Sequence, residues 1–227
     1  MRKSLLAVLV LTIAAVSSEQ TRADDGALGA RSKILDFLKR EVLGKSLVHH
    51  SVSKIDNGKL EVDFSRTLKF ANVTTTERGF KFDLLIDIKQ ANYDLDESGA
   101  RKGTSIAKDR SLVERFEIRE RTSTGELLGY CSVITNSLKD SSGRADFVQV
   151  KLEGDRLKIK QSTVGYDDLF AAGDKTKPGA VETESDLFVS EGRLQHVQKI
   201  QSYEVDPASL KRTPYAEPET MVSQEKR

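Results

Sequence analysis

The chain has 227 residues, with 36 cationic and 35 acidic side chains and a formal charge of +1. Because the two signs are interspersed and nearly balanced, the composition gives no electrostatic reason to expect nucleic acid as a partner. A single cysteine, Cys131, excludes an internal disulfide bond. Its apolar setting, LLGYCSVIT, predicts a small buried side chain.

Residues 1–23 predict a secretory signal peptide. Two cations precede an apolar run from Leu5 to Val16, and Thr21-Arg22-Ala23 forms a cleavage motif, with Val16-Ser17-Ser18 as an alternative. A helix of about twelve residues spans about 18 Å, which is short for a hydrocarbon core of roughly 30 Å, so we expect no transmembrane span in the mature chain. Cleavage after Ala23 removes three cations and one acid and leaves a formal charge of −1. The predicted location is therefore secreted or periplasmic.

One amphipathic helix is predicted after the signal peptide. The segment RSKILDFLKREVL places apolar residues at helical spacing and ends at Gly44. The stripe consists of Ile34, Leu35, Leu38, Val42 and Leu43, with Phe37 at its margin. The chain then reads as strand and turn, which predicts one domain over residues 24–205. Residues 206–227 contain three of the four prolines and few apolar residues, which predicts a mobile tail.

The strand region predicts an antiparallel meander. Asn57-Gly58 lies between two apolar-patterned runs and predicts a hairpin that sets Val48, His50 and Val52 on one apolar face. Similar turn signals separate about ten strands, and an open sheet that wide curls or closes. The predicted fold class is therefore all-β with one N-terminal helix, curled into a barrel or half-barrel. Residues 91–111 and 164–185 interrupt the pattern and are expected to be long irregular loops.

The stretch FKFDLLIDIK carries the candidate site. Its even positions are apolar and its odd positions, except Leu85, are charged, which predicts a strand with one buried face. We expect this face to line the concave interior, with His50 as a polar group and Phe170, from an apolar knot in the second loop, closing the site. The predicted ligand-binding residues are Phe80, Phe82, Leu84, Ile86, Ile88, His50 and Phe170. The same strand residues could instead pack against the helix.

In outline this architecture resembles the lipocalins and the half-barrels that carry lipids or lipoproteins in the bacterial periplasm. The resemblance is one of architecture, since the chain has no tryptophan and therefore no Gly-x-Trp signature. It implies a non-enzymatic protein that binds a hydrophobic or amphiphilic small molecule, such as a lipid, by removing apolar surface from water.

Two alternatives remain from the sequence. The first is an interaction protein with a filled core that engages an envelope or extracellular protein through loops or an edge strand. The second is a hydrolase that uses loop carboxylates. The sequence contains no Gly-rich phosphate loop, nucleophile elbow or paired cysteines, and the turn Asp94–Gly99 only partly matches a calcium loop. No catalytic residue, metal ligand or cofactor is therefore assigned.

Overall fold

The computed structural model describes residues 29–120, 126–135, 145–165, 179–206, 208–215 and 217–226. The predicted signal peptide and Phe170 lie outside these residues. The described chain begins with a helix, α1 (29–37), which continues as a π-helical turn over Leu38–Val42. Eleven strands follow: β1 (Ser46–Ile55), β2 (Leu60–Thr76), β3 (Gly79–Leu95), β4 (Arg101–Glu120), β5 (Leu127–Thr135), β6 (Ala145–Glu153), β7 (Arg156–Gly165), β8 (Gly179–Ser190), β9 (Arg193–Val205), β10 (Arg212–Pro214) and β11 (Glu219–Glu225).

The strands form a closed antiparallel barrel of ten strands, which confirms the predicted fold class. Each strand from β1 to β9 pairs with the next one along the chain, and β11 closes the barrel by pairing with both β9 and β1. The short β10 pairs with β9 beyond the end of β11. The β1–β2 hairpin turns at Asp56–Gly58, where all three residues have positive φ, as its Asn-Gly sequence predicts.

The prediction of a mobile tail is wrong for residues 212–214 and 219–225. Strand β11 pairs with β9 from Glu219 to Gln224 and has two buried side chains, Met221 and Ser223. Its contact with β1 is short, because only Leu47 and Val48 have Cα partners on β11. Of the three prolines in residues 206–227, Pro214 ends β10 and Pro218 lies just before β11, so neither of these two interrupts the β11 ladder.

The expected loop over residues 91–111 is also mostly strand. Strand β3 continues to Leu95 and β4 begins at Arg101, so only a five-residue turn lies between them. In this turn Asp96 Oδ1 accepts hydrogen bonds from the backbone N–H groups of Ser98 and Ala100, both at 2.9 Å. The Ser98 hydroxyl is the largest cause that lowers the pKa of the Asp96 carboxyl. The segment that partly matches a calcium loop is thus a turn in which the Asp96 carboxylate accepts hydrogen bonds from the turn itself. Of the second predicted loop, residues 179–185 belong to β8.

The core lies at the end of the barrel that α1 covers. The helix buries Ile34, Leu35, Phe37, Leu38 and Val42 against the inner faces of the strands. Leu43, expected in the apolar stripe, is 42% exposed, whereas Phe37 is buried. Leu43 leaves the stripe because the helix ends at Val42 and the backbone of Leu43 is already extended, with φ of −63° and ψ of 130°.

Candidate functional site

The alternating face of β3 points into the barrel, as predicted. Phe80 and Phe82 are completely buried, and Phe82 stacks on Phe116 of β4 with ring centroids 4.5 Å apart. Both phenylalanines belong to the same apolar cluster as Ile34 and Leu38 of α1. In this half of the barrel the helix α1 therefore occupies the space in which the sequence pattern predicted a ligand.

His50 does not face the interior. Leu47 of β1 is fully buried, so the odd positions of this strand point inward and the even positions point outward. His50 is exposed and its Nε2 lies 2.8 Å from Asp63 Oδ1 on the outer surface. Val52, expected beside it in the core, is 50% exposed. The expectation that His50 lies on the inward apolar face is therefore wrong. In β1 the inward face is that of Leu47, whereas the sequence pattern favoured the face of Val48 and Val52.

A layer of buried and half-buried polar residues crosses the interior next to the apolar core. It comprises Arg66 of β2, His196 and Gln198 of β9, and Ser223 of β11; we call it the polar layer. Arg66 is 7% exposed, His196 2% and Ser223 0%. Arg66 Nη1 donates a hydrogen bond to Gln198 Oε1 at 2.6 Å, which ties β2 to β9 across the barrel.

Several atoms of the polar layer have no hydrogen-bond partner within the described part of the chain. They are Arg66 Nε and Nη2, His196 Nδ1 and Ser223 Oγ. Burial lowers the pKa of Arg66, although nearby Glu114 and Glu219 oppose this effect. Burial, with a smaller contribution from the Arg66 charge, lowers the pKa of His196 to about 3. The imidazole is therefore neutral at physiological pH, while the guanidinium keeps its charge.

A small cavity of about 50 Å³ adjoins the polar layer. Arg66, His196, Gln198 and Glu114 contribute polar groups to its wall. Two predicted ligand-binding residues, Leu84 and Ile86, contribute apolar groups. The structure thus brings part of the predicted site to one place but replaces His50 by Arg66 as the polar group beside it.

Beyond the polar layer, at the end opposite α1, the inward-facing residues are only partly buried. We call this region the far half of the barrel. It includes Phe64 of β2, Ile88 of β3 and Ile200 of β9, together with Gln90 and Asn92, whose side chains hydrogen-bond to each other at 3.0 Å. Ile88, the last of the predicted β3 residues, also packs against the core. The far half is therefore a mixed apolar and polar interior that is accessible to solvent.

The sequence contains a signal for Arg66. In FSRTLKF, the residues Phe64, Leu68 and Phe70 alternate along β2, and Arg66 occupies the same phase between them. A charge in the phase of a buried face is a rare pattern that points to an interior polar group. His196 likewise follows Leu194 by two positions on β9, and both are buried.

A larger groove of about 710 Å³ lies between the first turn of α1 and β6. Its wall combines Ile34, Leu127 and Val150 with the charged Lys33 and Lys151. It borders residues 28 and 125, where the described ranges stop. Its full boundary therefore does not belong to the described structure, and the interior site is the better defined of the two.

The fold and the site define a ten-stranded barrel with a helix-filled apolar end, a buried polar layer and an accessible far half. Comparison of the chain with protein-family models, curated proteins and solved structures found no match. No helix among the described residues is long and apolar enough to cross a membrane. Within the same residues, no three histidine, cysteine or acidic side chains come together as a metal-binding group.

Proposed function

We propose that this protein is exported and binds a small amphiphilic molecule in the far half of its barrel. The supporting observation is the partly exposed apolar wall of the interior, formed by Phe64, Ile88 and Ile200. Apolar side chains that face inward but remain accessible offer a surface on which a ligand gains about 25 cal/mol per Å² of apolar area removed from water.

The α1 end contributes the rigid floor of this site. Because Phe80 and Phe82 are fully packed in the core, the ligand lies on the other side of the polar layer from the helix. Along β3, the side chains change from fully packed core to partly exposed wall between Leu84 and Ile88. The proposal retains the β3 face as part of the site and moves the ligand away from the helix.

The first experiment is native mass spectrometry of the protein after expression with its own N-terminus. Export predicts a chain that begins after Ala23 or, by the alternative cleavage motif, after Ser18, and ligand binding predicts an additional mass that organic extraction removes. A chain of full length with no extractable molecule would contradict both parts of the proposal.

A matched pair of variants tests the location. Phe64→Ser removes an inward apolar side chain, whereas Val52→Ser changes an exposed side chain of the same hairpin. We expect Phe64→Ser to weaken lauric acid binding about tenfold, since loss of a phenylalanine contact costs roughly 1.5 kcal/mol. Isothermal titration calorimetry measures this affinity. Val52→Ser should bind as the unchanged protein does, and equal effects of the two substitutions would refute the site.

A further inference from the structure

Arg66 has one edge of its guanidinium group without a partner. Nη1 donates to Gln198, while Nε and Nη2 donate to no acceptor among the described residues. The N–H bonds of Nε and Nη2 point in parallel from the same edge of the planar group. This is the edge that holds a carboxylate through two parallel hydrogen bonds.

Arg115 shows the same edge in use elsewhere in the barrel. Its Nε donates to Asp83 Oδ1 at 2.9 Å and its Nη2 donates to Asp83 Oδ2 at 3.3 Å. Arg66 thus presents, in the interior, the donor pair that binds a carboxylate on the outer face of β3 and β4. Buried donors of a charged group are costly to leave unsatisfied, so this edge favours an acceptor as its occupant.

The adjoining cavity has the size of a carboxylate group. Its 50 Å³ has room for about three or four atoms of the size of water oxygen, and a carboxylate has three heavy atoms. His196, whose Nδ1 has no partner in the described structure, also lines the cavity and, as a neutral imidazole, can donate from that nitrogen. Leu84 and Phe116 contribute apolar groups to the lining, which suit the carbon side of such a group.

The size of the cavity restricts the occupant. Glu114 also lies on the cavity wall, and both Glu114 and Glu219 act electrostatically on Arg66. Their negative field reduces the attraction of Arg66 for any anion. With room for about three or four atoms, the cavity favours a monocarboxylate group, with three heavy atoms, over phosphate or sulfate, with five.

We propose that the cavity beside Arg66 binds the carboxylate of a small monocarboxylic acid through Arg66 Nε and Nη2, assisted by His196 Nδ1. This inference rests on the proposed function in part, because it names the polar group of the amphiphile. It also stands separately, since formate offers the same group without an apolar chain.

The test uses ¹³C-labelled formate, whose NMR line broadens when it exchanges with a protein site. We expect broadening with the unchanged protein, loss of that broadening with Arg66→Met, and no loss with Lys69→Gln, which removes a charge from an exposed position of the same strand. Unlabelled phosphate at equal ionic strength should compete poorly. If Arg66→Met does not fold, Arg66→Lys serves instead, because it keeps the charge and lacks the two-donor edge.

The outcomes separate the two proposals. Absence of broadening with the unchanged protein, or equal broadening with Arg66→Met, overturns the carboxylate site and indicates that water occupies the cavity. Laurate binding that is at least tenfold tighter than dodecanol binding, and that falls to the dodecanol value in Arg66→Met, supports both proposals. Formate binding without laurate binding supports the carboxylate site and refutes the amphiphile, whereas equal binding of laurate and dodecanol refutes only the carboxylate site.

Discussion

Burial keeps His196 neutral, and this has a cost at low pH. The side chain is 2% exposed and its pKa is lowered from 6.5 to about 3, first by burial and then by the charge of Arg66. Between these two pH values the unfolded chain binds a proton at this position and the folded chain does not. Protonation therefore favours the unfolded state, and stability rises with pH across this window.

We expect the free energy of unfolding to fall by up to about 5 kcal/mol as the pH decreases from 6.5 to 3. The window above pH 4 is the most informative, because the buried Asp83, whose pKa its bond to Arg115 lowers, loses its contribution only below about 3.8. Urea unfolding at pH 4.5 and pH 7 measures the difference. His196→Gln should reduce this difference, with His50→Gln as the exposed control. An unchanged pH dependence in His196→Gln would show that other groups cause it.

Single side chains were the least predictable feature from the sequence. The apolar positions of β3 revealed their direction because five of them follow one another in the same phase. His50 had no such support, since β1 carries Val48 and Val52 in one phase and the buried Leu47 in the other. Whether Arg66 keeps unpartnered donors depends on Gln198, which is remote in sequence and is placed by the closure of the barrel.

At the scale of the element, a β-bulge in β2 adjusts which side chains enter the core. Asn72 and Val73 stand opposite the single residue Phe82, between the pairs Ala71–Asp83 and Thr74–Lys81. This extra residue changes which positions of β2 face inward. Before the bulge the even-numbered Phe70 faces the core, and after it the odd-numbered Val73 packs against the core. Asn72 has φ of 53° and its Nδ2 donates to Asp83 Oδ2 at 2.8 Å.

Substitution of Asn72 should therefore lower the free energy of unfolding more than its exposed position implies. Asn72→Ala places a side chain with no local hydrogen bond in the left-handed region and removes the bond to Asp83, so we expect a loss of about 1 to 2 kcal/mol. Asn72→Gly restores the backbone freedom but not the bond, and should lose less. Urea denaturation of the three proteins measures both contributions. Equal stability of Asn72→Ala and Asn72→Gly would exclude a backbone effect at the bulge.

Most strands could be predicted, whereas their irregularities could not. Alternating patterns such as FKFDLLIDIK directly reflect the two faces of a strand. A bulge adds one residue without a compositional mark, and the end of the helix at Val42 leaves Leu43 exposed without altering the apolar pattern. Such features depend on the packing of neighbouring strands and helices rather than on local preference.

At the scale of the whole molecule, closure depends on a strand with few apolar residues. Strand β11 contributes mainly backbone hydrogen bonds to β9, and only Met221 and Ser223 of its side chains are buried. Its low apolar content and the prolines before it are also typical of a disordered segment. Composition therefore could not distinguish a closing strand from a tail, because the partner edges of β1 and β9 are distant in sequence.

Two neighbouring substitutions test whether β11 is an ordered part of the barrel. Met221→Asp places a carboxylate on the buried face, so we expect the free energy of unfolding to fall by about 3 kcal/mol or more. Val222→Asp changes a side chain that is 44% exposed and should cost less than about 0.5 kcal/mol. Urea unfolding compares the two proteins. If both substitutions were harmless, this segment would be the mobile tail that its composition suggests.

The joining of β1 to β11 also sets an order of events during protein synthesis. Ser46 O accepts a hydrogen bond from Lys226 N at 3.0 Å, so β1 completes its pairing only after a residue 180 positions further along the chain has been synthesised. Until the ribosome has released that residue, the growing chain can form its hairpins but leaves two strand edges unpaired. A chaperone that shields such edges would therefore act on the nascent polypeptide, before the ring of strands is complete.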